Sequence, residues 1–349
     1  MSALTILRRG RLAGAVIPAL GIAIAGLVVA SSGAQAAPRN PGHPTLHAGP
    51  KVALGTTTNV FANVFSEGQD GSLYYSRGSI VYRVIGNGKP KVEVHAASRV
   101  MAVAANQTDL FVQTGLTVTE YRLSNVSKVK HWTLSSPVTP ITSAALLAVG
   151  GTVWSWTDWG TDQSGFEFAT VSRIAISGSA AHVISKSAYP GMSANASGLY
   201  FESNNAKTAA NFLTHVSPSG VVKARKTAPA VGVPLALSGG RVDLLAFGPH
   251  VTINTYSPTS LALLSSKKVS NNDDNIAGTS SGLVVMTLVC HGKNCSTPTV
   301  SVSKLNASSG AASGTITLPG AEILLPGPSA GVIEVNHGIK GSMTLQRLS

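Results

Sequence analysis

A short motif recurs seven times along this chain of 349 residues, and it limits the possible folds more than any other feature. Each copy is a turn that carries Gly or Asn, followed by a short apolar strand. The aligned apolar residues lie 37, 43, 46, 43, 41 and 49 residues apart, at Leu73, Leu110, Val153, Leu199, Val242, Leu283 and Val332. A repeat of this length indicates one supersecondary unit that is used many times.

A second element follows each copy of the first, namely an alternating strand that ends in a basic or polar residue. Its copies are Val81–Val84, Glu120–Leu123, Val171–Ile174, Leu213–Val216, Ile253–Tyr256, Val302–Leu305 and Leu345–Leu348. Period-two alternation, abundant Val, Thr and Ser, and frequent turn residues all predict strands. No long stretch has the period of a helix.

Four short strands in about 43 residues are typical of one propeller blade. Segment 44–349 therefore resembles the secreted seven-bladed β-propellers of the broad group that includes the YVTN, NHL and streptogramin-lyase-like families. No WD, NHL or kelch signature and no sialidase Asp-box is present, so the motifs indicate an architecture and no single family. A β-solenoid is the alternative, but its repeats are shorter and more regular. We predict an all-β fold of seven four-stranded antiparallel blades.

The end of the sequence predicts how the ring closes. The chain stops after the third strand of the last repeat, so the last blade needs an outer strand from elsewhere. We predict that Pro44–Leu54 pairs beside Met343–Leu348 as that strand. Closure would remove the open sheet edges that promote aggregation.

The N-terminus has the three parts of an export signal. Three arginines precede the apolar run Leu12–Ala30, and the small residues Ala34–Ala36 offer a cleavage site before Ala37. We expect cleavage and a location outside the cytoplasm, in the cell envelope or beyond it; an uncut membrane anchor is the alternative. The predicted divisions are a signal-peptide helix (1–36), a flexible leader (37–43) and the propeller (44–349).

The charge balance limits the possible partners. The formal net charge is +12, from 26 Lys and Arg against 14 Asp and Glu. These cations are scattered and form no stripe interleaved with aromatic residues, which argues against nucleic acid. A cationic surface suits an envelope rich in anionic polymers. We expect a protein, a glycan or an envelope polymer as partner, with membrane contact only if the signal segment is uncut.

Binding residues are predicted on one face, where the loops from second to third strands and the loops between blades meet. The candidates are Asp158, Trp159, Asp162, Asn204, Asn205, Asp273, Asp274, His291 and Lys293. Trp154 and Trp156 accompany Trp159, either as an aromatic platform for a sugar or cation or as wedges between blades. Asn271–Asn275 offers oxygen ligands of the kind that calcium uses, but Asn and Asp are ordinary turn residues. We predict a turn there, and no metal or other cofactor.

Cys290 and Cys295 enclose four residues of a predicted hairpin loop. In an exported chain this pair is expected to form a disulfide. So short a ring contributes only ~2 kcal/mol by the chain-entropy model. Its expected role is to stiffen the loop.

Catalytic motifs are absent from the sequence. It contains no G-x-S-x-G elbow, no H-E-x-x-H helix and no P-loop, and its nine histidines are dispersed. We therefore expect an exported, non-catalytic binding or scaffolding module. The alternative is a propeller-fold lyase or hydrolase whose site is assembled from several blades at the mouth of the channel.

Overall fold

The computed structural model describes most of the chain beyond the predicted leader. The described ranges are 46–57, 64–136, 141, 143–161, 167–205, 208, 210–228, 232–247, 249–279, 282–291, 297–305, 312–319, 321–325, 331–335 and 341–348. The predicted signal peptide and leader lie outside them. Within these ranges the regular structure is β-strand, and no helix there has the length and apolarity needed to cross a membrane.

The described residues form 27 strands. The first sixteen are β1 (Ala48–Thr57), β2 (Phe65–Glu67), β3 (Leu73–Arg77), β4 (Ile80–Val84), β5 (Lys91–His95), β6 (Ala102–Ala105), β7 (Asp109–Thr114), β8 (Thr117–Arg122), β9 (Lys128–Thr133), β10 (Ala144–Val149), β11 (Thr152–Thr161), β12 (Glu167–Ala175), β13 (Ala181–Asn195), β14 (Gly198–Asn205), β15 (Ala210–Val216) and β16 (Val222–Thr227). The others are β17 (Gly232–Ser238), β18 (Arg241–Ala246), β19 (Thr252–Tyr256), β20 (Leu263–Lys268), β21 (Asp273–Thr279), β22 (Gly282–His291), β23 (Thr297–Leu305), β24 (Ala312–Pro319), β25 (Ala321–Leu325), β26 (Gly331–Val335) and β27 (Gly341–Leu348).

These strands pair into five four-stranded sheets and one seven-stranded sheet. In the larger sheet, β13 pairs with β12 through Ala181–Ala188 and then with β14 through Met192–Asn195. The register shifts between Ala188 and Met192, where Gly191 has φ +110°, a value that favours glycine. The segment 189–191 is therefore a bent stretch of one continuous strand. β13 is the last strand of one four-strand unit and the first of the next.

Both sequence repeats coincide with strands in register. The seven aligned apolar residues lie in β3, β7, β11, β14, β18, β22 and β26. The second repeated element lies in β4, β8, β12, β15, β19, β23 and β27. Their alternation places one set of side chains against each neighbouring sheet, so both faces of a strand are buried.

The first strands of successive units form the inside of the molecule. β2, β6, β10, β13, β17, β21 and β25 each contact the next, and β25 contacts β2, so the circuit closes. Runs of small residues lie in some of these strands, and Ala102–Ala105 of β6 is fully buried. Small side chains allow the first strands to approach each other closely.

Apolar clusters fill the gaps between neighbouring four-strand units. Each of the seven clusters of buried residues takes side chains from two adjacent units. One contains Val52 and Leu54 of β1 together with Phe65 and Tyr75 of the first sheet. The core is thus divided among the interfaces between sheets and is not gathered at one centre.

The two ends of the described chain meet in one sheet, as the sequence predicts. β1 pairs antiparallel with β27, with Val52 opposite Leu345 and Ala53 opposite Thr344. Tyr75 Oη of the neighbouring sheet donates a hydrogen bond to the Leu54 carbonyl at 2.9 Å. β1 is therefore the fourth strand of the last sheet and also contacts the first sheet.

A buried ion pair also joins the last sheet to the first. Arg347 Nη1 of β27 lies 2.8 Å from Glu67 Oε1 of β2, and the Glu67 side chain is only 5% exposed. Burial raises the pKa of Glu67 to about 7 from its ordinary 4.5, against the opposing effect of Arg347. Because the folded protein holds this proton more tightly than the unfolded chain, the group stabilises the fold at low pH.

We expect the free energy of unfolding to fall as pH rises from 4.5 to about 7, the interval between the ordinary and folded pKa values of Glu67. The loss from this group should reach at most about 3 kcal/mol. Glu67→Gln cannot ionise and should flatten that part of the profile. Urea unfolding of both proteins at several pH values measures the difference; a difference that is constant across this range would refute the assignment.

Candidate functional site

The predicted binding residues that the structure describes lie in strands, and most are buried. Asp158 lies in β11, Asn204 and Asn205 lie at the end of β14, and Asp273 begins β21. Asp158, Asn204 and Asp273 are between 5% and 7% exposed. The prediction that these four residues lie in loops is wrong, because the strands extend further than their polar sequences indicate.

Asn204 belongs to a hydrogen-bonded group that holds the bend of β13. Its Nδ2 donates to Tyr189 Oη, and Tyr189 Oη donates to Asn211 Oδ1 at 3.1 Å. Asn211 lies in β15, directly opposite Asn204. These contacts link three strands of the seven-stranded sheet around the bend, which is a structural role for Asn204.

Asp273 caps the start of β21. Its Oδ1 accepts a hydrogen bond from Thr287 Oγ1 at 2.6 Å, and its Oδ2 accepts one from the Ser270 backbone N–H at 3.1 Å. Asn271 and Asn272 form the turn that precedes the strand, as predicted, whereas residues 273–275 of the predicted turn belong to β21. The Asp273 carboxylate is thus engaged by its own turn and the neighbouring strand.

For the remaining predicted site residues, the structure does not describe the side chains. The backbone of Trp159 lies in β11 and that of Asp274 lies in β21. Cys290 and His291 lie in β22. Asp162, Lys293 and Cys295 lie outside the described residues. Among the described residues no three His, Cys, Asp or Glu side chains are grouped as metal ligands.

Trp154 and Trp156 pack between sheets. They are 1% and 2% exposed and share an apolar cluster with Met192 and Phe201 of the following unit. Trp156 Nε1 donates a hydrogen bond to the Tyr189 carbonyl at 2.9 Å. Of the two readings of these tryptophans, the structure supports the wedge.

The basic residues near the ends of the third strands form contacts within their own unit or with the next one, a role that the sequence pattern did not reveal. Arg83 pairs with Asp70 of its own sheet at 2.7 Å. Arg173 reaches the following unit and donates to the Pro218 carbonyl. With Arg347, these contacts show that the repeated cation serves the fold.

One cleft lies between the sheet β17–β20 and the sheet β21–β24. Its volume is about 130 Å³, and it is lined by Ser238, Gly239, Arg241, Asp243, Ile253, Thr255, Lys267, Val269, Gly282, Leu283 and Leu305. Two cations, two hydroxyl groups and an apolar wall would suit a small polar ligand.

The buried acid of this cleft is already satisfied by hydroxyl groups. Ser238 Oγ and Thr255 Oγ1 donate to Asp243 at 2.5 and 2.6 Å. Burial raises the pKa of Asp243, against these two hydrogen bonds and the charge of Arg241. The acid thus fixes two strands of its own sheet in addition to lining the cleft.

The outer strands carry an exposed and strongly cationic surface. We define the rim as the turn between third and fourth strands, plus the fourth strand, in five successive units: 85–95, 123–133, 176–188, 217–227 and 257–268. The rim contains ten Lys or Arg residues against a single acid, Glu93. Glu93 lies 3.5 Å from Arg83 and is thus partly neutralised. Eight of the ten cations are exposed: Lys89, Lys91, Lys128, Lys186, Lys223, Arg225, Lys226 and Lys268.

Comparison with solved structures identifies the architecture. The chain is similar to the β-propeller domain of Myceliophteria thermophila Cps50 (Swd1), with a TM-score of 0.56 and 10% identity over 86% of this chain and 100% of that one. It is also similar to a chain in the crystal structure of the mitotic checkpoint complex, with a TM-score of 0.55 and 12% identity over 91% of this chain and 98% of that one. No family model and no curated protein matches the sequence. These likenesses and the closed circuit of sheets identify the fold as a β-propeller.

Proposed function

We propose that this chain is an exported, non-catalytic binding and scaffolding propeller of the cell envelope. In this proposal the rim holds the propeller against an anionic surface. The opposite face, with its loops from second to third strands, then remains available to a protein partner. Fold alone does not specify a function, but the charge of a protein surface limits the partners that it can bind.

The observation that carries the proposal is the charge of the rim. Ten cations and one acid on adjacent outer strands create a positive electrostatic field along the outer edge of these sheets, which attracts anionic partners. Asp273 of the predicted site and Asp243 of the cleft, in contrast, accept hydrogen bonds that hold strands together. Acids engaged in this way favour binding over catalysis.

The proposal includes seven blades and removal of the signal peptide. Seven-blade closure is supported by the spacing of the repeats, the seven apolar clusters and the double pairing of β13. Export is supported by the basic and apolar pattern of residues 1–36. Class averages from electron microscopy test the blade count, and N-terminal sequencing of the chain recovered from the envelope tests cleavage before Ala37.

Retention on an immobilised anionic polymer tests the binding role of the rim. We expect a poly(glycerol phosphate) column to retain the processed chain and release it as salt is raised. Lys223→Gln with Lys226→Gln should elute at clearly lower salt, because both ammonium groups are exposed. The matched control is Arg77→Gln with Arg99→Gln, which removes two exposed cations at the opposite face. Equal elution of all three proteins would refute the role of the rim.

Cross-linked capture from the envelope tests the protein partner. A partner bound through the loop face should be retained by the parent chain and lost by Trp159→Ala with Asp162→Ala. Asp273 is left intact because its carboxylate fixes β21. Equal recovery by both proteins would move the partner site away from this loop.

The proposed export also predicts that Cys290 and Cys295 form a disulfide in the recovered protein. We expect no alkylation of either thiol until a reductant is added, and a mass lower by two hydrogens before reduction. Removal of the bridge should cost only ~2 kcal/mol, because the loop is short. Rapid alkylation of both thiols without reductant would contradict an oxidised pair.

A further inference from the structure

The exposed apolar side chains of the rim identify the kind of anionic surface that it would meet. Every large apolar side chain that is exposed among the described residues lies in the rim: Ile85, Val92, Val126, Val129, Val183, Val221, Val222, Leu263 and Leu264. Their exposed fractions run from 36% to 62%. Single exposed apolar residues are normal on a protein surface, but repetition on five successive units is not.

These side chains gather toward one face of the propeller. Ile85, Val126 and Val221 lie in turns between third and fourth strands. Val222 pairs with Val216, and Leu263 pairs with Tyr256, so both lie at the end of a fourth strand next to such a turn. Because all sheets of a propeller radiate from one axis, these turns surround the same face. The apolar residues therefore form an arc along its perimeter.

The backbone at Val126 supports a role for this arc. Val126 has φ +55°, which is an unfavourable conformation for a β-branched residue. The corresponding turn of the first sheet has glycine in this region, Gly86 with φ +54°. Leu261, in the equivalent turn of another unit, has φ +54° and is 1% exposed, so its side chain contributes to the core, whereas the side chain of Val126 is 36% exposed.

Protection of sheet edges explains only half of the pattern. Lysine on outer strands is a common device against edge-to-edge aggregation. Exposed Val and Leu on the same strands have the opposite effect. A soluble polyanion would use the cations alone, whereas the interface of an anionic bilayer takes both cationic and apolar side chains.

We propose that the arc docks this face of the propeller on an anionic lipid membrane. The inference rests on the proposed function and names its anionic surface. The apolar side chains enter the boundary between headgroups and acyl chains, while the neighbouring ammonium groups contact lipid phosphates. The opposite loop face then points away from the membrane. The sequence predicts membrane contact only if the signal segment is uncut. The contact proposed here does not require that segment.

Flotation with vesicles tests the proposal on the processed chain. The probes are extruded vesicles of equal parts phosphatidylglycerol and phosphatidylcholine, and vesicles of phosphatidylcholine alone. We expect flotation with the first and little with the second. The double variant Leu263→Ser, Leu264→Ser should partition onto the anionic vesicles at least tenfold more weakly than the parent chain. The anionic polymer should still retain this variant as strongly as it retains the parent chain.

Two charge variants complete the test. Lys223→Gln with Lys226→Gln should weaken partitioning about 30-fold, since each cation near an anionic surface contributes about 1 kcal/mol. Arg77→Gln with Arg99→Gln, at the opposite face, should leave partitioning unchanged. All substituted side chains are exposed, so thermal unfolding should match the parent chain and report any misfolded variant.

Each alternative outcome has a separate meaning. Polymer retention without vesicle binding, or normal vesicle binding by the leucine variant, overturns the lipid proposal and leaves the proposed function intact. Failure with both vesicles and polymer overturns both proposals. Self-association that the leucine variant abolishes, without vesicle binding, assigns the arc to a second copy of this chain and also overturns the lipid proposal.

Discussion

Val52→Ala combined with Leu54→Ala is expected to lower the free energy of unfolding by about 4–8 kcal/mol, because both side chains are buried in β1. These residues fill the cluster between the last sheet and the first. The loss would be a large part of the 5–15 kcal/mol that stabilises a typical protein. Urea unfolding followed by fluorescence measures it.

An exposed residue of β1 provides a matched control for this double variant. Ala53 lies between the two substituted residues and is exposed. Ala53→Ser should change the free energy of unfolding by less than about 0.5 kcal/mol. A double variant as stable as the parent chain would mean that β1 does not close the ring.

Trp154→Ala should cost about 3–5 kcal/mol, because a fully buried indole between two sheets leaves a cavity. Trp156→Phe keeps most of the packing and loses the hydrogen bond to the Tyr189 carbonyl, so a loss near 1–2 kcal/mol is expected. Chemical unfolding of both variants provides the values.

An exposed residue of the same sheet serves as the reference for these two tryptophan variants. His182→Ala in β13 removes an exposed side chain and should leave stability within about 0.5 kcal/mol of the parent value. If Trp154→Ala unfolds at the same urea concentration as the parent chain, the wedge assignment is wrong and the binding platform regains support.

The repeat made much of the fold predictable. Val153 and Leu199 are the second residues of strands whose two faces are both buried, and their short apolar runs are visible in the sequence. The pairing of β1 with β27 was also predicted, and Val52 lies opposite Leu345. The continuity of β13 was not: Pro190–Gly191 is an ordinary turn sequence, and proline is also tolerated at a strand irregularity.

The candidate site was much less predictable than the fold. Asp and Asn residues are common in loops, so the sequence suggested loop positions for Asp273 and Asn204. Both are buried because they form hydrogen bonds with residues that are distant in the sequence. The donor to Asp273 is Thr287, fourteen residues away, and Arg173 bonds to Pro218, forty-five residues away. Such pairs depend on which strands become neighbours. The rim was missed for the same reason, since its cations are scattered in sequence and are brought together by the radial arrangement of sheets.

Lysine acetylation footprinting with and without the mixed anionic vesicles measures which lysines contact the lipid surface. We predict that the vesicles protect Lys91, Lys128 and Lys223, each of which lies next to the turn that precedes its outer strand. Lys268 lies opposite Thr252, at the other end of its outer strand, and should keep its rate. Protection of Lys268 with no change at the three other lysines, or no protection anywhere, would contradict the claim that the rim holds this propeller on an anionic surface.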